Sequence, residues 1–174
     1  MRLSLRELTT FSFLGGLMYA SKIAMEWAPN IHLLGVFTIA LTVVYRKKAL
    51  YPIYIYVLLN GLLAGFSLWW YPHLYQWTVL WAVVMLLPRK LPSKAAPIVY
   101  MVICSLHGFL YGVLYAPFQA LAFGLNLKGM VSWIIAGLPF DMIHGVSNFF
   151  CGILIVPLIR AIMLAERGAG KETG

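Results

Sequence analysis

The chain has 174 residues, of which 62% are hydrophobic and only 10% charged, and its mean hydropathy is +0.86. A soluble domain carries about 25% charged residues, so these figures exclude an ordinary water-soluble fold and put the chain in the membrane class. A net charge of +8 points to nucleic acid in a soluble protein, but here the basic residues lie between apolar runs and set topology instead.

The length fits one domain over residues 1–174, with room for five or six spans of about 20 residues. Met1 to Leu8 is a short basic amphipathic lead-in expected at the cytoplasmic surface. A first span is expected over 9–27. No small-residue cleavage site precedes Lys22 and Glu26, which favours a retained helix over a signal peptide. Gly16, Ala20 and Ala24 form a small-xxx-small stripe that lets another helix approach closely. Lys22 and Glu26 form an i, i+4 pair. At about 100° per residue Lys22 lies roughly 200° from Ala20, so the pair and the stripe face opposite ways. A partner on one side and a polar cavity on the other fit this helix, although packing and snorkelling account for each feature separately.

Pro29 marks a boundary within Trp27–His32, and a second span is expected over 31–45, closed by Arg46, Lys47 and Lys48. The third, over 51–70, carries Gly61 and Gly65 as a GxxxG pair. Trp69, Trp70, Tyr71, His73, Tyr75, Trp77 and Trp81 then crowd one turn and the start of the fourth span, 73–87. An interfacial aromatic belt explains most of them, and stacking on a flat ring or cation explains others. After the basic loop at Arg89–Lys94 comes a fifth span, 97–123, with a ladder at Gly108, Gly112, Ala116, Ala120 and Gly124. His107 and Gln119 are its polar exceptions, and a lone His there reads most simply as a satisfied bundle residue. Cys104 and Cys151 both lie in apolar runs and read as small buried thiols without a disulfide.

The sixth span, 130–160, is the most informative. Asp141, His144 and Asn148 recur at i, i+3 and i+7 on one helix face within an otherwise apolar run. An ionisable group at membrane depth costs about 2.5–3.5 kcal/mol on insertion scales and normally faces a bundle interior or wet cavity. Interhelical bonding and ligand contact both answer that requirement. The tail from Glu166 is polar and expected to fray.

The fold class that follows is an all-α integral membrane protein, a single six-helix transmembrane bundle. Arg2, Arg6, Arg46, Lys47, Lys48, Arg89, Lys90, Lys94, Arg160, Arg167 and Lys171 fall on one side of it, leaving only Lys22 and Lys128 of the 13 Lys and Arg. The positive-inside rule then puts both termini in the cytoplasm. Glu26, Asn30, His32, Trp69, Trp77, Asp141, His144 and Asn148 gather toward the outer half as candidate substrate-binding residues, with Asp141 and Asn148 foremost. No HExxH, CxxC, Walker loop, GxSxG or clustered acidic metal site is present. Neither a metal nor a cofactor is expected, nor ATP hydrolysis by the chain itself.

The small-residue stripe Gly16-Ala20-Ala24, together with Gly137, Pro139, Asp141, Asn148 and Pro157-Leu158 in the last helix, resembles the substrate-binding S component of an energy-coupling factor (ECF) vitamin importer. The resemblance covers the whole chain in architecture. It implies a multi-pass protein of a prokaryotic cell membrane, not an enzyme, that captures a vitamin-like small molecule from outside. It also implies a transmembrane coupling subunit docked on Gly16, Ala20 and Ala24, and through it two ATPases. The aromatic surplus, with Glu26 and Asp141, leans toward a flat cationic heterocycle such as a thiamine-type vitamin or pyrimidine precursor. Two other classes stay open: an intramembrane enzyme using Asp141 and His144 as an acid–base pair, and an assembly subunit whose polar residues are all interhelical.

Overall fold

The computed structural model describes residues 3–171, and the side chains through residue 168. Every regular element in it is a helix, and no strand occurs among the described residues. Helix α1 spans Leu5–Ala24 and opens on a capping box. The Ser4 hydroxyl accepts the Glu7 N–H at 3.2 Å, and the Glu7 carboxylate accepts the Ser4 N–H at 3.1 Å. From Leu5 the expected surface lead-in is therefore the first turn of the first helix, which stops at Ala24 rather than at residue 27, while Met1 and Arg2 lie outside the described residues.

One face of α1 packs on α3 (Leu50–Ala64) through Phe11, Leu14, Gly15 and Met18. A Cβ added at Gly15 would lie 2.9 Å from the Pro52 carbonyl oxygen, so the backbones meet there. Gly16, one position along, has nothing within 4 Å of such a Cβ.

Helix α2, Leu34–Tyr45, is the centre of the molecule, with every residue from Leu34 to Thr42 buried. A helix apolar on all sides belongs inside a packed core. It lies mainly against α4 (His73–Leu86) and α8 (Ile155–Lys171). Gly61 and Gly65, expected as one packing pair on the third helix, do different work. Gly61 is buried beside the Phe66 ring, whereas Gly65 has a φ of 92° and ends α3 in a conformation that only glycine adopts freely. The third apolar run consequently stops being α-helix at Ala64, and Leu68–Trp70 is a separate 3-10 turn.

The fifth run divides at Leu110 into α5 (Ala96–Phe109) and α6 (Tyr111–Phe123). Gly124, in the left-handed region at φ 64°, closes α6. Asn126 caps α7 (Leu127–Cys151) by accepting the Gly129 N–H at 2.8 Å. A 3-10 turn at Gly152–Leu154 separates α7 from α8. The tail expected to fray from Glu166 is helical as far as Lys171, with the Glu166 carboxylate accepting from Arg6 at 2.7 Å and from the Tyr45 hydroxyl at 2.8 Å; residues 172–174 lie outside the described residues. With the Lys48–Glu7 ion pair, these contacts collect the start of α1 and the ends of α2 and α8 at one end of the molecule.

Ala96–Phe123, with 28 residues, and Leu127–Gly168, with 42, are long and apolar enough to cross a membrane. Their outer faces are apolar and bare: Leu121 is 83% exposed and Phe150 63%. Their inner faces meet through small residues. Gly108, Gly112 and Ala116 of the ladder are buried, Ala120 is half-buried and Gly124 is exposed, so only the first three rungs pack fully. A Cβ on Gly108 would fall 2.8 Å from the His144 carbonyl oxygen. Gly108→Ala is therefore expected to prise α5 from α7 at roughly 1–3 kcal/mol, typical of overpacking. A lowered unfolding temperature in detergent is the expected reading, and an unchanged one would show that this seam tolerates separation.

Candidate functional site

Opposite the Arg6–Glu166 end, α1 finishes near Lys22, α3 near Ala64, and α2 and α4 begin near His32 and His73. Between them lies a cavity of about 380 Å³. Its wall is largely aromatic: Tyr56, Trp69, His73, Trp77 and Tyr111, with His32. Lys22, Asn60, Leu34 and Ala64 complete it. Trp77 is the hub, with His32 at 5.9 Å, His107 at 5.6 Å, Tyr56 at 6.2 Å and Tyr111 at 6.4 Å between ring centroids. A larger groove of about 610 Å³ between α3 and α4 is open and nearly all apolar, with only Lys47 charged, and offers little to orient a ligand.

Several polar groups of the cavity are already committed. The His73 ring donates from Nδ1 to the Trp69 carbonyl at 3.1 Å, which leaves Nε2 as an acceptor 3.5 Å from the Tyr111 hydroxyl. His107, just behind, donates from Nε2 to the Gln76 carbonyl at 3.1 Å. His32 and His144 meet Nε2 to Nε2 at 2.6 Å, so one ring donates and the other accepts. Other groups have no partner: the Trp77 indole N–H, the Asn60 side-chain oxygen and His32 Nδ1 are buried and unbonded. Trp77 and Asn60 are each 1% exposed. Buried polar atoms without partners are uncommon; three belong to residues lining this cavity, and the Thr38 hydroxyl and the Gln76 and Asn148 side-chain oxygens are unbonded elsewhere.

Of the sequence-expected residues, His32, Trp69 and Trp77 line this cavity, and His144 stands directly behind it through His32 and through the Tyr111 ring at 4.7 Å. The other four lie elsewhere. Glu26 is exposed and pairs with Lys22 at 2.6 Å. Asn30 sits in a turn at φ 63°, a conformation Asn tolerates, and its carbonyl accepts from Ser147 at 3.3 Å. Asn148 bonds the Cys104 carbonyl at 3.3 Å in the seam between α5 and α7. Asp141 accepts the Gly112 N–H through both oxygens, at 3.0 and 3.2 Å. That N–H belongs to the first turn of α6, freed by the break at Leu110, so Asp141 caps a neighbouring helix from the side. Asp141 and His144 thus hold different partners.

Tyr56, Asn60, His73 and Tyr111 line the cavity although sequence reasoning did not select them. Asn60 carried a signal: it is the one polar side chain inside the apolar run of α3, four residues from Tyr56 on the same face. Trp77, expected either in an interfacial belt or in a stack, belongs to the interior.

No protein-family model, curated protein or solved structure matches this chain.

Proposed function

We propose that this chain is the membrane-embedded substrate-binding subunit of an ECF-type importer, crossing the bilayer six times with both termini in the cytoplasm. The observation that carries the reading is an aromatic cavity with unbonded buried polar atoms, set back to back on one helix with an open small-residue stripe. Lys22 of α1 is on the cavity wall, while Ala20 and Ala24 are exposed and Gly16 meets no side chain. The exposed cations Arg89, Lys90 and Lys94 lie between α4 and α5, and Arg167 lies in the last turns of α8, away from the cavity, which supports an outward-facing mouth. In this reading the cavity captures a vitamin-like molecule, α1 docks a coupling subunit, and two ATPases supply the energy that the chain lacks.

The purified chain in detergent should retain or bind one small molecule saturably, identified by mass spectrometry of the released ligand. Uptake by cells should require co-expression of a coupling subunit and its ATPases. Reporter fusions at Gly174 and in the 124–130 loop should report opposite sides of the membrane. Uptake by the chain alone, or both fusions on one side, would overturn the proposal.

A further inference from the structure

We infer that the molecule held in this cavity is a flat ring bearing an acidic group, a carboxylate or phosphate, and not a cation. The inference rests on the binding role proposed above and adds the sign of the ligand's charge. Sequence reasoning leaned to a cation because it put Glu26 and Asp141 in the site. The structure distributes the acids otherwise. Asp141 is occupied by the Gly112 N–H in the seam of α6 and α7, and Glu7 and Glu166 are bound to Lys48 and Arg6 at the far end. Glu26 is exposed and bonded to Lys22, and among the described residues no carboxylate lines the cavity.

Among the described residues, Lys22 is the one Lys, Arg, Asp or Glu on that wall. Its side chain is 25% exposed, against 56% for Glu26, and its ammonium lies 5.9 Å from the Tyr19 ring centroid. An ion pair with one member largely in water contributes little to stability and is readily exchanged. A ligand anion entering from the mouth takes the place of Glu26 on a cation that is better shielded from water, where the charged hydrogen bond is stronger. Trp69 and Tyr111, both half-buried on the wall, supply ring faces for stacking. An ammonium ligand would meet Lys22, whose carboxylate partner is the exposed Glu26.

The test uses three probes of one shape: indole-3-carboxylate, indole-3-carboxamide and (indol-3-yl)methylammonium. Their affinities are measured calorimetrically on the purified full chain, and any ligand that co-purifies is identified by mass spectrometry. The carboxylate should bind at least tenfold tighter than the amide, with the ammonium weakest. Lys22→Met should abolish the preference, while Glu26→Gln, which frees the ammonium, should strengthen carboxylate binding. If the indoles do not fit, the co-purifying ligand decides: an acid supports the inference and a cation overturns it. Tightest binding by the ammonium, or equal affinities for the three probes, also overturns it while leaving the binding role intact. If no ligand co-purifies and no probe binds to folded protein, the binding role itself fails.

Discussion

Ala20→Trp is expected to abolish assembly with an energising module while leaving ligand binding by the isolated chain within about twofold. The physical ground is the division of α1. Its buried face, Phe11, Leu14, Gly15 and Met18, is spent on α3, and Lys22 is spent on the cavity. The stripe Gly16-Ala20-Ala24 contributes to neither, and a Cβ at Gly16 would touch nothing. An indole at Ala20 would hold an incoming helix away at the point where small side chains permit close approach, while pointing away from this chain's own interior. Affinity purification of co-expressed subunits gives the readout, with uptake as a second. Retained assembly alongside lost ligand binding would mean that the two faces of α1 have been assigned the wrong way round.

Asp141→Ala is expected to act on stability rather than on affinity. Its carboxylate is 5% exposed and bonds through both oxygens to a backbone N–H released by the break at Leu110. Removing it strands that donor in an apolar seam, and the charged hydrogen bond lost is worth roughly 1.5–3 kcal/mol. Asp141→Asn keeps an acceptor oxygen for Gly112 and should lose less. Thermal unfolding and ligand affinity measured on the same preparation separate the roles. A stable Asp141→Ala variant with affinity lowered tenfold or more would return Asp141 to the binding site.

Helical class was legible from composition, and each apolar run became helix, because hydropathy reports directly on what can be buried or left in lipid. The breaks were harder. Leu110 has no Gly or Pro beside it that announces an interruption, and the break depends on a carboxylate thirty residues away. Gly65 was visible as a glycine, but its role turned on a φ of 92° that spacing does not encode. For the site, helical periodicity put Asp141, His144 and Asn148 on one face, and all three are buried. Periodicity names a face without naming its neighbour. His144 meets His32, while Asp141 and Asn148 meet backbone. The cavity residues Tyr56, Asn60, His73 and Tyr111 come from three different elements, and only tertiary packing assembles them.

The unequal helix lengths have a mechanical consequence for the surrounding lipid. At about 1.5 Å per residue the 28 residues from Ala96 to Phe123, broken at Leu110, reach at most about 42 Å, whereas α3 and α4, with 15 and 14, reach only about 22 and 21 Å. A hydrocarbon core is about 30 Å thick, so one flank overreaches it and the other falls short. Leu58, Leu62, Leu63, Val79 and Val83 are bare on the short flank. If α3 and α4 also cross it, as proposed, the bilayer thins beside them or the body leans, and each ångström of mismatch costs a fraction of a kcal/mol. In the proposed six-span arrangement, membrane thickness thereby becomes a force on this protein.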